Sequence, residues 1–228
     1  MYLRNWNCCQ HREETTTITY YMIERKYLIF DLGGVLLDIF PPATAEALAT
    51  LGVREEHITD GLTLENPLLH SIECGNSTRE ELFAAIAEST GKELTPSLAE
   101  EIRSAWCALL GTAPAWKFAR LRALREKGYK IFLLSNTNAI HWENVTKIVA
   151  AAEGKQLEEY FDGVYLSFEM HCRKPDVAIF KQLLQAEGIA AEEAVFFDDS
   201  SENCNAAASI GIESHLMERN GNWPDWLN

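Results

Sequence analysis

Asp31 closes a short apolar run, Tyr27-Leu28-Ile29-Phe30, and is followed two residues on by Gly33-Gly34. Three later runs carry polar groups at or just past their ends. Lys130–Ser135 leads into Ser135-Asn136, Gly163–Leu166 precedes Lys174-Pro175, and Ala194–Asp198 ends in Asp198-Asp199. In chain order these positions offer a carboxylate, a hydroxyl, an ammonium group and an acidic pair, which are the parts for metal-assisted phosphoryl transfer. Each has a plainer reading alone. A strand-end Asp or an Asp pair often only caps a turn or helix, Ser-Asn is an ordinary strand-to-helix connection, and Lys-Pro is a common surface dipeptide. The ordered set of four is what points to chemistry.

The elements that must position these groups follow from the pattern. Short, continuously apolar runs predict strands buried on both faces, as in a parallel sheet. Helical stripes separate them: Phe118, Leu121 and Leu124 before Gly128, then Ile179, Phe180, Leu183 and Leu184 before Gly188. Ile212 to Leu216 reads as a fifth strand. This alternation predicts an α/β fold with a doubly wound parallel sheet, whose ligands bind beyond the carboxyl ends of the strands.

Residues 40–111 break the alternation and read as wholly helical, an insertion between the first strand and Lys130. Ser77-Thr78-Arg79-Glu80 has a capping-box pattern, with Leu82, Phe83 and Ile86 on the inward face. Thr95-Pro96 opens another helix carrying Leu98, Ile102, Trp106 and Leu109. The predicted organisation is therefore a core of residues 26–39 and 112–228, a helical cap of 40–111, and a polar, Thr-rich extension, 1–25, within which Met22 is an alternative start.

A formal charge of −14, without clustered Lys or Arg, argues against a nucleic-acid surface. An anionic substrate then needs local positive charge from a bound cation or a few placed bases. The six cysteines form no C-x-x-C pair, and Cys8, Cys9 and His11 fall short of a metal ligand set, so a reducing, cytoplasmic setting is expected. No apolar run is long enough to cross a bilayer, and no membrane partner is expected.

The segments F-D-L-G-G-V-L (30–36), L-L-S-N-T-N (133–138), R-K-P-D (173–176) and F-F-D-D-S-S-E-N-C-N-A-A (196–207) resemble the four motifs of the haloacid-dehalogenase-like hydrolase superfamily. The resemblance runs from about Tyr27 to the end of the chain. C-G-N-S-T-R-E-E-L-F (74–83) is similar to the small helical cap of the phosphatase branch that includes sugar-phosphate phosphatases. This implies a Rossmann-like core and hydrolysis of a small phosphorylated metabolite through an aspartyl-phosphate on Asp31. It implies that Ser135 and the amide of Asn136 hold the phosphoryl group while Lys174 neutralises charge. It further implies that Mg²⁺ is bound by Asp31, Asp199 and the carbonyl of Gly33, with Asp198 orienting a metal-bound water behind them.

One position departs from the pattern. Phosphatases of this superfamily usually carry a second Asp two residues after the nucleophile, as general acid and base, and here that residue is Gly33. Such groups are worth about 10²–10⁴-fold in rate. Three explanations stand: a leaving group needing little protonation, such as that of a sugar 1-phosphate; an acid supplied by Asp38 or His141; or lost turnover, leaving a phosphate- or partner-binding module. His171 is a second departure, where relatives often have Gly, and Arg173 is either a substrate contact or a surface residue. A 2-haloacid dehalogenase needs no acidic pair in its last motif. In a receiver domain the acidic pair precedes the phospho-acceptor, whereas here it comes last.

Overall fold

The computed structural model describes residues 26–53, 67–224 and 227. The extension 1–25, with Cys8, Cys9, His11 and Met22, lies outside the described residues. Five parallel strands, β1 (Tyr27–Phe30), β2 (Lys130–Ser135), β3 (Gly163–Leu166), β4 (Ala194–Asp198) and β5 (Glu213–Leu216), form one sheet in the order β3-β2-β1-β4-β5. The expected doubly wound α/β core is present.

Alternate residues of each strand serve two apolar layers, as the pleat requires. Leu28, Phe30, Ile131, Leu133, Val195 and Phe197 face α5 (Ala115–Glu126) and α6 (Ala139–Glu153), joining Phe118, Leu121, Val145 and Val149. Ile29, Phe132, Leu134 and Phe196 face α8 (Val177–Glu187) and α9 (Ser201–Ala208), joining Phe180, Leu183 and Ala207. The chain winds leftward from β1 on one face and rightward on the other. The switch point therefore falls between β1 and β4, where a crevice opens at the carboxyl ends.

Between β1 and β2 come α1 (Pro41–Thr50), α2 (Pro67–Glu73), α3 (Arg79–Thr90) and α4 (Pro96–Trp106). They pack around a cluster of their own, including Leu48, Ile72, Leu82, Phe83, Ile86, Leu98, Ile102 and Trp106, with Ile140 of α6 as the core residue in it. Thr95 caps α4 by accepting from Leu98 N, with Pro96 in the first turn, as the sequence predicts. The box on α3 sits one residue later than expected. Thr78 is the N-cap, accepting from Glu81 N while Glu81 Oε2 accepts from Thr78 N at 2.7 Å. Ser77 instead pairs with Ser71 across the turn.

The two linkers to this insertion run side by side. Asp38 N donates to Thr112 O, Gly111 N to Asp38 O and Phe40 N to Leu109 O, so Ile39 bridges Leu110 antiparallel. The other edge of Ile39 is taken by the Asn220 side chain, which accepts from Ile39 N at 2.9 Å and donates to Ile39 O at 2.8 Å. An amide side chain thus substitutes for a third strand.

Past β5 the chain doubles back over the β1 turn. Asn220 N donates to Gly34 O, Trp223 Nε1 donates to Val35 O at 3.2 Å, and the Trp223 ring stacks on Phe30. α7 (Ser167–Met170) follows β3 directly and ends at His171, whose φ of 55° is left-handed. That is a conformation glycine adopts more easily. Here His171 is held in it by a hydrogen bond from its Nδ1 to Cys74 O of the insertion, 3.1 Å away.

Candidate active site

Asp31 follows β1 directly, Ser135 ends β2, and Asp198 ends β4 with Asp199 next, so strand register alone sets three of the four expected groups side by side. Asp31 N donates to Phe197 O, extending the β1–β4 pairing up to the acid itself. Lys174 arrives from the loop between α7 and α8. Its ammonium, 1% exposed, donates to Asp31 Oδ1 at 2.8 Å, Asp198 Oδ2 at 2.7 Å and the carbonyl of Leu134 at 2.8 Å. All three protons are used, which fixes the amine geometrically.

Asn136 anchors that loop. Its Nδ2 donates to Lys174 O and its Oδ1 accepts from Lys174 N, both at 2.8 Å. Beyond the backbone role expected of Asn136, its side chain positions the lysine.

Asp198 is fully buried and its oxygens are committed. Besides Lys174, they accept from Ser200 N at 2.8 Å and Asn203 Nδ2 at 3.0 and 3.1 Å. Asn203 sits in the first turn of α9, a position the motif contained without marking. Asp199 points elsewhere, and its Oδ2 accepts from Arg219 Nε. Nothing at the exit of β5 singled out Arg219 in the sequence.

Asp31, Asp198 and Asp199 each offer an oxygen, and these lie within 4.8 Å of one another. Burial raises the pKa of Asp31 to about 7; Lys174 opposes the rise and the charge of Asp198 adds to it. Burial works against the charge of Lys174 too, but Asp198 and Asp31 outweigh it and hold its pKa above the ordinary value. Buried carboxylates outnumbering their cations, with oxygens converging, suit a small hard cation. The parallel bridge between Gly33 and Leu37 uses the carbonyl of Leu32 and the amide of Gly34, so the Gly33 carbonyl is not spent on it.

A Cβ at Gly33 would meet Ile39 Cδ1 at 3.2 Å, so the Ile39 side chain occupies the space beside the position where a second acid is usual. Neither expected substitute stands free. Asp38 accepts from Thr112 Oγ1 at 2.7 Å and lies 3.6 Å from the buried Lys117 ammonium, so it is engaged within the linker. His141 is locked between Asn138 and Trp106. Asn138 Oδ1 accepts from the amides of Ile140 and His141, so its NH₂ donates to His141 Nδ1, leaving Nε2–H for Trp106 O at 3.0 Å. Burial lowers the His141 pKa to about 4.

That lock has a measurable pH signature. Above pH 6.5 His141 is neutral in both folded and unfolded chains. As pH falls from 6.5 towards 4 the unfolded chain takes up the proton first, and stability on the order of 3 kcal/mol is lost. Urea melts at pH 7.5 and 4.5 should show a smaller drop in His141→Gln than in wild type; an equal drop would exclude His141 as the cause.

Arg173 is no surface residue. It is 6% exposed and pairs with Glu73 at the end of α2, 3.2 Å away, and burial raises the Glu73 pKa against the opposing pull of Arg173. With His171 bonded to Cys74, and Gly75 so close to Phe168 O that a Cβ would collide, the turn after α2 is docked beside Lys174.

A switch-point crevice holding an aspartate, a buried lysine and an acidic pair, with a helical insertion docked beside it, places the chain among the doubly wound α/β proteins with a polar site built at the strand ends. The chain belongs to the haloacid dehalogenase-like hydrolases, whose family model matches residues 26–211. It is 28% identical over 198 residues to a D-ribitol-5-phosphate phosphatase from Bacteroides thetaiotaomicron, covering 87% of this chain and 94% of that protein. A solved enzyme of the family from the same organism, in complex with magnesium and inorganic phosphate, is 35% identical with a TM-score of 0.79, covering 87% of this chain and 97% of the other. A predicted family hydrolase from Porphyromonas gingivalis is 30% identical with the same TM-score, covering 88% and 94%. Among the described residues no helix is long and apolar enough to cross a membrane.

Proposed function

We propose that the chain is a magnesium-dependent phosphatase of small phosphorylated metabolites, sugar or sugar-alcohol phosphates foremost, acting in the cytoplasm. The observation that carries this is the Lys174 ammonium bridging Asp31 and Asp198 with Asp199 alongside. Asp31 is the nucleophile: its free oxygen forms a bond to phosphorus as the ester bond breaks, and water then cleaves the acyl-phosphate. Ser135 and the amide of Asn136 hold the phosphoryl oxygens, and Lys174 keeps Asp31 oriented and offsets charge. Asp31, Asp199 and the Gly33 carbonyl would hold magnesium, with Asp198 behind them; the ion, when bound, would supply Lewis acidity towards the phosphoryl group. The commitment of Asp198 to Lys174, Ser200 and Asn203 supports that division of the acidic pair. The presence of both Asp198 and Asp199 beside Asp31 is why phosphorus chemistry is favoured over dehalogenation, which calls for no metal.

With Ile39 filling the space beside Gly33, the proton for the leaving oxygen comes from solvent, and esters with good leaving groups turn over fastest. An aryl phosphate should therefore outpace a sugar 1-phosphate, and that in turn the 5- or 6-phosphate of the same sugar, in kcat. A flat series would show that an acid is present after all. The same Gly33 favours the second reading, a phosphate-binding module without turnover. Phosphate release from such a panel, with magnesium and with chelator, for wild type and Asp31→Asn, decides between them. Metal-dependent release lost in the variant supports the enzyme, and binding of orthophosphate without release from any ester supports the module.

A further inference from the structure

The segment after β5 contributes a side chain to the site that none of the four motifs contains. Met217 N donates to Asp198 O, Asn220 N donates to Gly34 O, and between these two anchors Arg219 is aimed at Asp199. The arrangement is tight. Gly34 has φ of +78°, and a Cβ there would lie 2.5 Å from Asp199 Oδ2 and 3.1 Å from Arg219 Cγ, so carboxylate and arginine pack directly on the glycine turn. The Arg219 side chain is itself about half exposed, with Asp199 largely covered beneath it.

We propose that Arg219 is a positioning residue that sets the balance between cation and phosphate at this site; the proposal rests on the magnesium-phosphatase reading above. Arg219 holds Oδ2 of Asp199, one of the three acids whose oxygens converge, and so fixes that carboxylate while its charge acts on the same site. With all three acids ionised, Asp31, Asp198 and Asp199 carry three negative charges against the two positive charges of Lys174 and Arg219, which leaves one net negative charge. A divalent cation and a phosphate dianion then enter together without changing that sum. Removing Arg219 doubles the local negative charge, which attracts the cation more strongly and repels the phosphate.

Calorimetric titrations of the full chain with magnesium alone, and with inorganic phosphate at saturating magnesium, test this on wild type, Arg219→Gln and Arg219→Lys. In Arg219→Gln the magnesium Kd should tighten and the phosphate Kd weaken, each by about three- to tenfold. That is the size expected of one half-exposed charge acting over a few ångströms in a high effective dielectric. Both shifts should shrink as salt is raised, and Arg219→Lys should restore both constants. Weakening of both ligands in Arg219→Gln would mark a purely structural contact and overturn the proposal, as would the absence of any shift. Failure of wild type to bind magnesium at all overturns the magnesium reading itself, and with it this inference.

Discussion

Asp31→Asn is expected to lower phosphate release by at least about 10⁴-fold while leaving the fold intact. The carboxamide matches the carboxylate in shape but cannot donate an electron pair to phosphorus with comparable strength. Structure should survive because Lys174 keeps two of its three partners, Asp198 Oδ2 and the carbonyl of Leu134. Asparagine also relieves the burial and like-charge repulsion that raise the Asp31 pKa, so the urea midpoint should hold or rise. Release measured by phosphate detection, alongside a urea melt, checks both halves. Residual metal-dependent turnover within tenfold of wild type would remove Asp31 from the nucleophile's role.

Lys174→Met is expected to be damaging in two ways. The ammonium is the buried cation shared by Asp31 and Asp198, and methionine fills similar volume without charge. Two buried carboxylates are left without it, a loss of about 3–5 kcal/mol of stability for breaking such a pair. Since the pKa of Lys174 is held above its ordinary value, its contribution is present at neutral pH and lost only in strong alkali. Turnover should fall by about 10²–10³-fold, the scale of removing one preorganised charge from a phosphoryl-transfer site. Asn136→Ala should reproduce part of the kinetic loss at smaller cost in stability, because it frees the loop without removing the charge. A Lys174→Met protein as stable and active as wild type would refute the bridging role.

The strands were legible because their signal is local. K-I-F-L-L-S, G-V-Y-L and A-V-F-F-D are contiguous apolar runs, and each appears as a strand with those bounds. The carboxyl-end rule then places Asp31, Ser135 and Asp198 in one crevice without further information. Capping was legible to within a residue: Thr95 is as expected, whereas Thr78 with Glu81 replaces the Ser77 with Glu80 register, because two hydroxyls in a row both satisfy the pattern and packing chooses.

What the sequence by itself determined is the family, the α/β core and the acids, hydroxyl and lysine of the motifs, since each rests on neighbours within a few residues. Only the tertiary structure decided how those groups are engaged. That Asp198 is spent on Lys174 and Asn203 while Asp199 faces Arg219, that Asn136 grips the Lys174 backbone, and that Ile39 sits beside Gly33 under the hold of Asn220 are all facts of approach. Several join positions more than a hundred residues apart, such as Asn220 to Ile39 and Lys174 to Asp31. Local pattern records which face a residue presents. Which partner meets that face is fixed when the layers pack, and in this chain it is that packing which turns four strand ends into one charged site.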